Sequence, residues 1–188
     1  ADTPILYNHD VDVVVLKNSH ELAYRAITKE GSDAVYPFGC GIYQWAVTYS
    51  DILLDKFLSS HDGTDADYEV LKDAKVRIPS SIGWGQMITK SCEISAGLWN
   101  EEFLSWGAED CEFYYRLNLF GFKVGRVIDD IYHFEHGRTF NSHYHNPKFQ
   151  DNDRLWNWIR TQDKESLTQY YGKLDYIKRR GKELNASL

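Results

Sequence analysis

Asp10-Val11-Asp12 follows a short apolar run and sets two carboxylates two positions apart. Carboxylate oxygens suit hard divalent cations such as Mg2+ and Mn2+. A strand-to-loop turn at the C-terminal edge of a sheet is also where α/β folds take ligands. Alone, so short a triplet fits a solvated turn better. His133-Phe134-Glu135-His136 adds two imidazoles. Positions three apart on a regular strand point to opposite faces, so both rings reach one ion only where the chain turns or becomes helical, which Gly137 permits. Two surface histidines beside a loop are the plainer reading if nothing else calls for a metal. His143 and His145 form a rival pair of lower rank, because Asn141 and Asn146-Pro147 suit a loop. A third group, Ser105-Trp106-Gly107-Ala108-Glu109-Asp110, opens the clearest helical pattern in the chain. Acids in a first turn complement the helix dipole. The same field favours an ionised carboxylate, which can take a proton from a hydroxyl.

Elements that position these groups follow from pattern. Ile5-Leu6-Tyr7 reads as a strand leading into the acidic triplet. Asn18 with Glu21 reads as a capping box, opening a helix that runs through Ile27 until Gly31. Ala34-Val35-Tyr36 is a second strand, and Leu53, Leu54, Phe57 and Leu58 give a helical stripe. A loop over 61–67, a short helix at 68–72 and an extended piece at 76–78 come next. Glycines in Gly83-Trp84-Gly85-Gln86-Met87-Ile88 suggest close approach of the backbone to something. A short helix ends at Gly97. Glu109 to Phe120 is predicted helical, with Phe113, Leu117 and Phe120 on its apolar face and Gly121 at its end. Lys123–Val127 is a strand, and helical patterns around 155–159 and 166–170 finish the chain. Strands alternating with helices predict an α/β domain.

Composition narrows the function classes. A chain of 188 residues that is 43% apolar has enough material for a core of its own. Twenty-one basic against twenty-eight acidic side chains give a net charge of −7, which argues against a nucleic-acid partner. From Lys164 onward six basic residues face three acidic ones, making a basic tail. That tail suits either a solvated helix end or peripheral contact with an acidic membrane surface. Three cysteines, an odd number at unrelated spacings, fit neither a disulfide framework nor a metal site and read as buried free thiols. Their lack of pairing leans toward a reducing cytoplasm, with a secretory lumen as the alternative. Aromatics at 15% fit a bulky core or a cleft that stacks on sugar rings. Asn185-Ala186-Ser187 forms a glycosylation sequon short enough to arise by chance.

Asp10-Val11-Asp12, Gly85-Gln86-Met87-Ile88-Thr89-Lys90, Trp106-Gly107-Ala108-Glu109-Asp110 with Tyr115-Arg116-Leu117, and His133-xx-His136 stand in an order that resembles the metal-dependent GT-A glycosyltransferases. The likeness is to the β-1,4-galactosyltransferase group and its bacterial relatives, over about Ile5 to His136. Trp106–Asp110 is its most specific part. Polypeptide N-acetylgalactosaminyltransferases share a similar Trp-Gly-Gly-Glu block.

The resemblance implies a GT-A-like mixed sheet flanked by helices. It assigns Asp12, His133 and His136 to Mn2+, or to Mg2+, with Asp10 supporting; His133 stands where vertebrate members carry Met. It makes Asp110 the catalytic base and places Trp106, Glu109, Gly85 and Trp84 at the acceptor sugar. Asp10, Asp12, Gly85 and Arg138 form the donor-binding set. Ala108 replaces the second glycine of the family block. The implied reaction is inverting transfer of galactose or N-acetylgalactosamine from a UDP-sugar to a sugar hydroxyl. A retaining N-acetylgalactosaminyltransferase-like enzyme and a non-catalytic carbohydrate-binding fragment are the alternatives. The Glu-Asp of the block, in place of Glu-Asn, favours an inverting base. Residues 1–163 are expected to form the catalytic region, with a lid at 137–149, and 164–188 a basic helical tail. In the family, βα units carrying the nucleobase pocket precede the acidic triplet. A triplet at position 10 therefore implies a longer enzyme or a completing second chain, and weak nucleotide binding by this chain alone.

Overall fold

A computed structural model describes residues 3–62, 65–71, 73–77 and 81–186, the last six of these by their backbone only. Ile78 and Ser187, the ends of the expected extended piece and sequon, lie outside the described residues. The fold is mixed α/β and divides into two compact units. One comprises Tyr7–Met87 with Gly125–Gly137 and holds most of the strands. The other comprises Ala1–Leu6, Ile88–Val124 and Arg138–Leu188 and is mainly helical.

Strand β1 (Ile5–His9) leads through the Asp10–Asp12 turn to β2 (Val13–Val15). The turn carries the chain from one sheet to another. With β3 (Ala34–Tyr36), β4 (Gln44–Thr48), β5 (Lys75–Val76), β6 (Gly85–Thr89), β7 (Val124–Arg126) and β8 (Ile131–Glu135), the strand orders are β1-β6-β3-β7 and β2-β8-β4-β5. The second sheet is mixed. Strand β8 pairs antiparallel with β2, Val13 opposite His133, and parallel with β4, Ala46 opposite His133. Val47, Phe57, Leu71 and Phe134 form a core beneath it, closed by α2 (Asp51–Ser59). Ser50 caps α2, its hydroxyl accepting from the Leu53 N–H.

Two acids just before β8 hold it in place. Asp129 accepts from the Ser19 hydroxyl at 2.6 Å, and Asp130 from the Trp45 indole at 2.9 Å. Ser19 lies on α1 (Lys17–Thr28) and Trp45 on β4. The side chains therefore fix a helix and a strand to the residues that deliver His133.

The helical unit contains α3 (Lys90–Ser95), α4 (Glu109–Phe120), α5 (Phe149–Ile159), α6 (Lys164–Lys173) and α7 (Asp175–Ala186). Phe103, Ile159, Leu167 and Tyr171 make its core. Helix α4 ends as its sequence predicts. Gly121 takes φ +84, and the Phe122 N–H returns to the Leu117 carbonyl at 3.0 Å. In α7, Arg179 meets Glu101 at 2.9 Å and Lys178 meets Asp175 at 3.6 Å. Among the described residues no helix is long and apolar enough to cross a membrane.

Several local expectations are corrected. Helix α1 starts at Lys17, with Leu16 as its cap and no capping side chain, so Asn18 and Glu21 form no capping box. Strand β2 runs directly into the helix, and the Leu16 carbonyl takes the N–H groups of Ser19 and His20. Val13–Val15, Gln44–Thr48 and Gly85–Thr89 are strands that pattern did not separate from loops. In β6 all but the last residue is buried, which removes the alternation that marks a strand. Cys92 is a buried thiol as expected, whereas Cys111 is half-buried and Cys40 exposed.

Candidate metal centre and acidic helix start

The antiparallel register of β2 and β8 sets the first two candidate ligands. Asp12 directly precedes β2, and its carbonyl accepts from the Phe134 N–H at 2.8 Å, which holds the acid across from β8. His133 lies on β8 with little exposure. Because β8 ends at Glu135, His136 is the first residue beyond the strand. Its side chain is thereby released from the alternation that would have sent it to the opposite face. His136 Nε2 comes to 2.8 Å and His133 Nε2 to 3.5 Å from the same Asp12 oxygen, Oδ2. One donor atom from each residue lies within 4.8 Å of the other two.

A polar group also stands near the far nitrogen of each ring. His133 Nδ1 lies 3.1 Å from Glu135 Oε1, and His136 Nδ1 lies 2.9 Å from the Gly137 carbonyl oxygen. The carbonyl at His136 Nδ1 favours the tautomer that leaves the Nε2 lone pair of that ring available, whereas His133 Nδ1 stands close to Glu135 without hydrogen-bond geometry. Glu135 is itself held by Arg77, Nη1 to Oε1 at 3.0 Å. Burial and then the Arg77 charge push His133 below the ordinary imidazole range, against the pull of Asp12 and Glu135. A neutral ring is the form that ligates metal. Two imidazoles and one carboxylate fit a divalent first-row cation.

Asp10, the other acid of the triplet, is exposed and donates its backbone N–H to the Trp84 carbonyl at 3.2 Å. Val11 between them is wholly exposed, so the turn projects from the unit. Trp84, expected beside an acceptor, is buried at 4% exposure and stacks on His133, centroids 5.1 Å apart. The Arg77 guanidinium lies 5.0 Å from the Trp84 ring centre. In this arrangement Trp84 supports the imidazole and offers no open face to a sugar. At Gly85 a Cβ would come no closer than 3.4 Å to His9 and 3.5 Å to the Tyr7 hydroxyl, ordinary contact, so the chain's own packing does not demand a glycine there.

The second group of candidates lies in the helical unit. Gly107 has φ +128, and a Cβ there would stand 3.1 Å from the Phe149 ring. Ala108 follows at φ +68, a left-handed conformation unusual for a residue with a side chain. This kink aims the first turn of α4. Glu109 turns back to accept from the Gly107 N–H at 2.8 Å. Glu112 is fully buried against Arg116, at 3.0 Å to each of its two oxygens, and accepts from the Tyr171 hydroxyl. Arg116 also donates to the Ala96 carbonyl at 2.7 Å. Two of the three first-turn acids thus serve structure, and half-buried Asp110 is the third.

Trp106 is partly exposed and stacks on Phe149, planes 20° apart. Its carbonyl accepts from Asn152 at 3.2 Å. The same buried amide brackets Leu104, donating to its carbonyl at 3.0 Å and accepting from its N–H at 3.1 Å. Arg138, expected among the donor-binding groups, belongs to this unit, with its guanidinium carbon 5.6 Å from the Trp106 centroid. Glu135, the Trp84 stack and the Asn152 clamp escaped sequence reading. Glu112 and Arg116, one turn apart on α4, carry a sequence signal for their pairing. Comparison with protein-family models and with curated proteins finds no match to this chain.

Proposed function

We propose that the chain carries the catalytic part of an inverting, metal-dependent hexosyltransferase of GT-A type, moving galactose or N-acetylgalactosamine from a UDP-sugar to a sugar hydroxyl. The observation that carries this reading is the turning of both imidazole Nε2 atoms onto one Asp12 oxygen. Asp12, His133 and His136 would hold Mn2+ or Mg2+, which neutralises charge growing on a diphosphate leaving group. Asp110 takes the proton of the acceptor hydroxyl as that oxygen bonds to the anomeric carbon. The bond from that carbon to the diphosphate oxygen breaks on the opposite face. The proton ends on Asp110 and the electron pair on the departing phosphate, and the configuration inverts. Trp106 offers an apolar surface to the acceptor ring. Glu109, tied to the Gly107 N–H, keeps the backbone before Asp110 in one conformation.

A second reading has support from the donor set itself. Two histidines and one carboxylate also hold Fe(II) in non-haem oxygenases. The acidic helix start beside an exposed tryptophan favours transfer. The deciding experiment is a screen of UDP-sugars with Mn2+ and mixed saccharide acceptors, reading released UDP and the product anomer by NMR. Transfer with inversion, lost in Asp110→Asn while Mn2+ binding is retained, supports the proposal. Retention of configuration, or transfer that Asp110→Asn leaves unchanged, refutes it, and substrate-dependent oxygen consumption with Fe(II) establishes the second reading instead.

A further inference from the structure

The segment that follows the metal-ligand histidines has an unusual charge balance. Residues 137–149 contain Arg138, His143, His145 and Lys148 and no acid, within a chain of net charge −7. Lys148 is occupied by Asp151 at 3.7 Å. Arg138 is exposed and has no carboxylate partner among the described residues; its one neighbour of note is the Trp106 ring.

The segment is fastened to the turn that presents Trp106. Asn146, nearly fully buried, donates to the Ser105 hydroxyl at 2.6 Å and to the Asn141 carbonyl at 3.0 Å. Ser105 in turn donates to the Asn141 carbonyl at 3.2 Å. Thr139 and Ser142 close a short capped turn between Arg138 and this anchor. Phe140 and Tyr144 stand out from it at 64% and 59% exposure. The result is an exposed indole with a guanidinium over it and two further aromatic rings on the same tethered segment.

Each part has a recognisable use. Exposed indole and phenyl faces take the apolar side of a pyranose. A guanidinium without a carboxylate presents a planar fork that suits carboxylate or phosphate oxygens. A neutral sugar has no use for that fork. A sugar bearing an anionic substituent needs it, because Glu109 and Asp110 of the same unit would otherwise repel such a ligand.

Resting on the transferase reading, we infer that the acceptor is an anionic saccharide, whose ring lies on Trp106 and whose charged substituent, a uronic carboxylate or a sugar phosphate, is taken by Arg138. This assigns Arg138 to the acceptor and removes it from the donor set.

Calorimetry on the full chain, without nucleotide or metal, tests the assignment separately from transfer. The probes are matched pairs: an oligosaccharide ending in a uronic acid against its carboxyl-reduced form, and a hexose phosphate against the free hexose. At least one charged member should bind roughly tenfold tighter than its neutral partner, and which pair shows the gap identifies the substituent. Arg138→Gln should abolish the preference, Arg138→Lys should keep part of it, and Trp106→Ala should weaken both members of the pair. Equal binding of both members, no binding of either, or a preference that survives Arg138→Gln overturns the assignment, as does Arg138→Gln weakening UDP binding with Mn2+ while sparing the saccharides. Transfer to neutral acceptors with no charge preference would sink this inference and leave the transferase reading intact. A charge preference without UDP release from any donor would do the reverse.

Discussion

Glu135 Oε1 lies 3.1 Å from His133 Nδ1 and 3.0 Å from Arg77 Nη1, so one carboxylate stands between a candidate metal ligand and a guanidinium. Removing the charge while keeping the shape isolates its effect on the imidazole. Glu135→Gln should lower Mn2+ affinity by roughly tenfold or more, read by calorimetry at fixed pH, with circular dichroism unchanged. Affinity equal to that of the parent would show that His133 needs no outer partner.

Ala108 sits at φ +68, where the resembled family carries glycine. A Cβ in that region is unfavourable by roughly 1 kcal/mol. Ala108→Gly should therefore raise stability by about that amount, seen as a higher midpoint in urea. The neighbouring change runs the other way. Gly107→Ala meets both φ +128 and the Phe149 ring at 3.1 Å, and should lower the midpoint clearly. A destabilising Ala108→Gly would mean that the left-handed turn carries no strain.

Helix α4 was legible to its last residue because its signals are local: acids in the first turn, apolar positions at helical spacing, and Gly121 to stop it. Strands β2 and β6 were not. Three valines, or a buried run beginning at Gly85, give no alternation to separate strand from loop. The same limit hid the way the imidazoles meet. Residues 133 and 136 reach one carboxylate because β8 stops at Glu135, and a strand's end is set by its partners β2 and β4, far away in sequence. The place of Trp84 depends likewise on what packs around it. Tryptophan at a glycine-flanked position suits a binding surface and a buried support equally well.

Glu112 and Arg116 are both wholly buried and bound to each other. Breaking such a pair from one side leaves a desolvated charge, at a cost of about 3–5 kcal/mol. Arg116→Met alone should therefore unfold the helical unit at much lower urea. Glu112→Leu together with Arg116→Met leaves neither charge behind and should recover most of the loss. Additive losses in the double variant would show that Arg116 acts mainly through the Ala96 carbonyl and its contact with the Tyr171 ring.

His9 and His20 pack on Tyr7, each ring centroid 5.1 Å from the tyrosine, and burial pushes both imidazoles below their ordinary 6.5. His20 adds to the lowering at His9, against the opposing pull of Asp10 and Asp12. A depressed histidine binds fewer protons folded than unfolded, so stability rises with pH through that window. The contribution is complete above about 6.5 and is lost as pH falls through the folded values. Glu112, whose carboxyl burial raises from its ordinary 4.5, acts with the opposite sign as pH climbs above that value. Metal-free protein should lose urea resistance as pH falls below about 6.5, and His20→Phe should flatten that slope. A slope untouched by His20→Phe would place the acid sensitivity elsewhere in the fold.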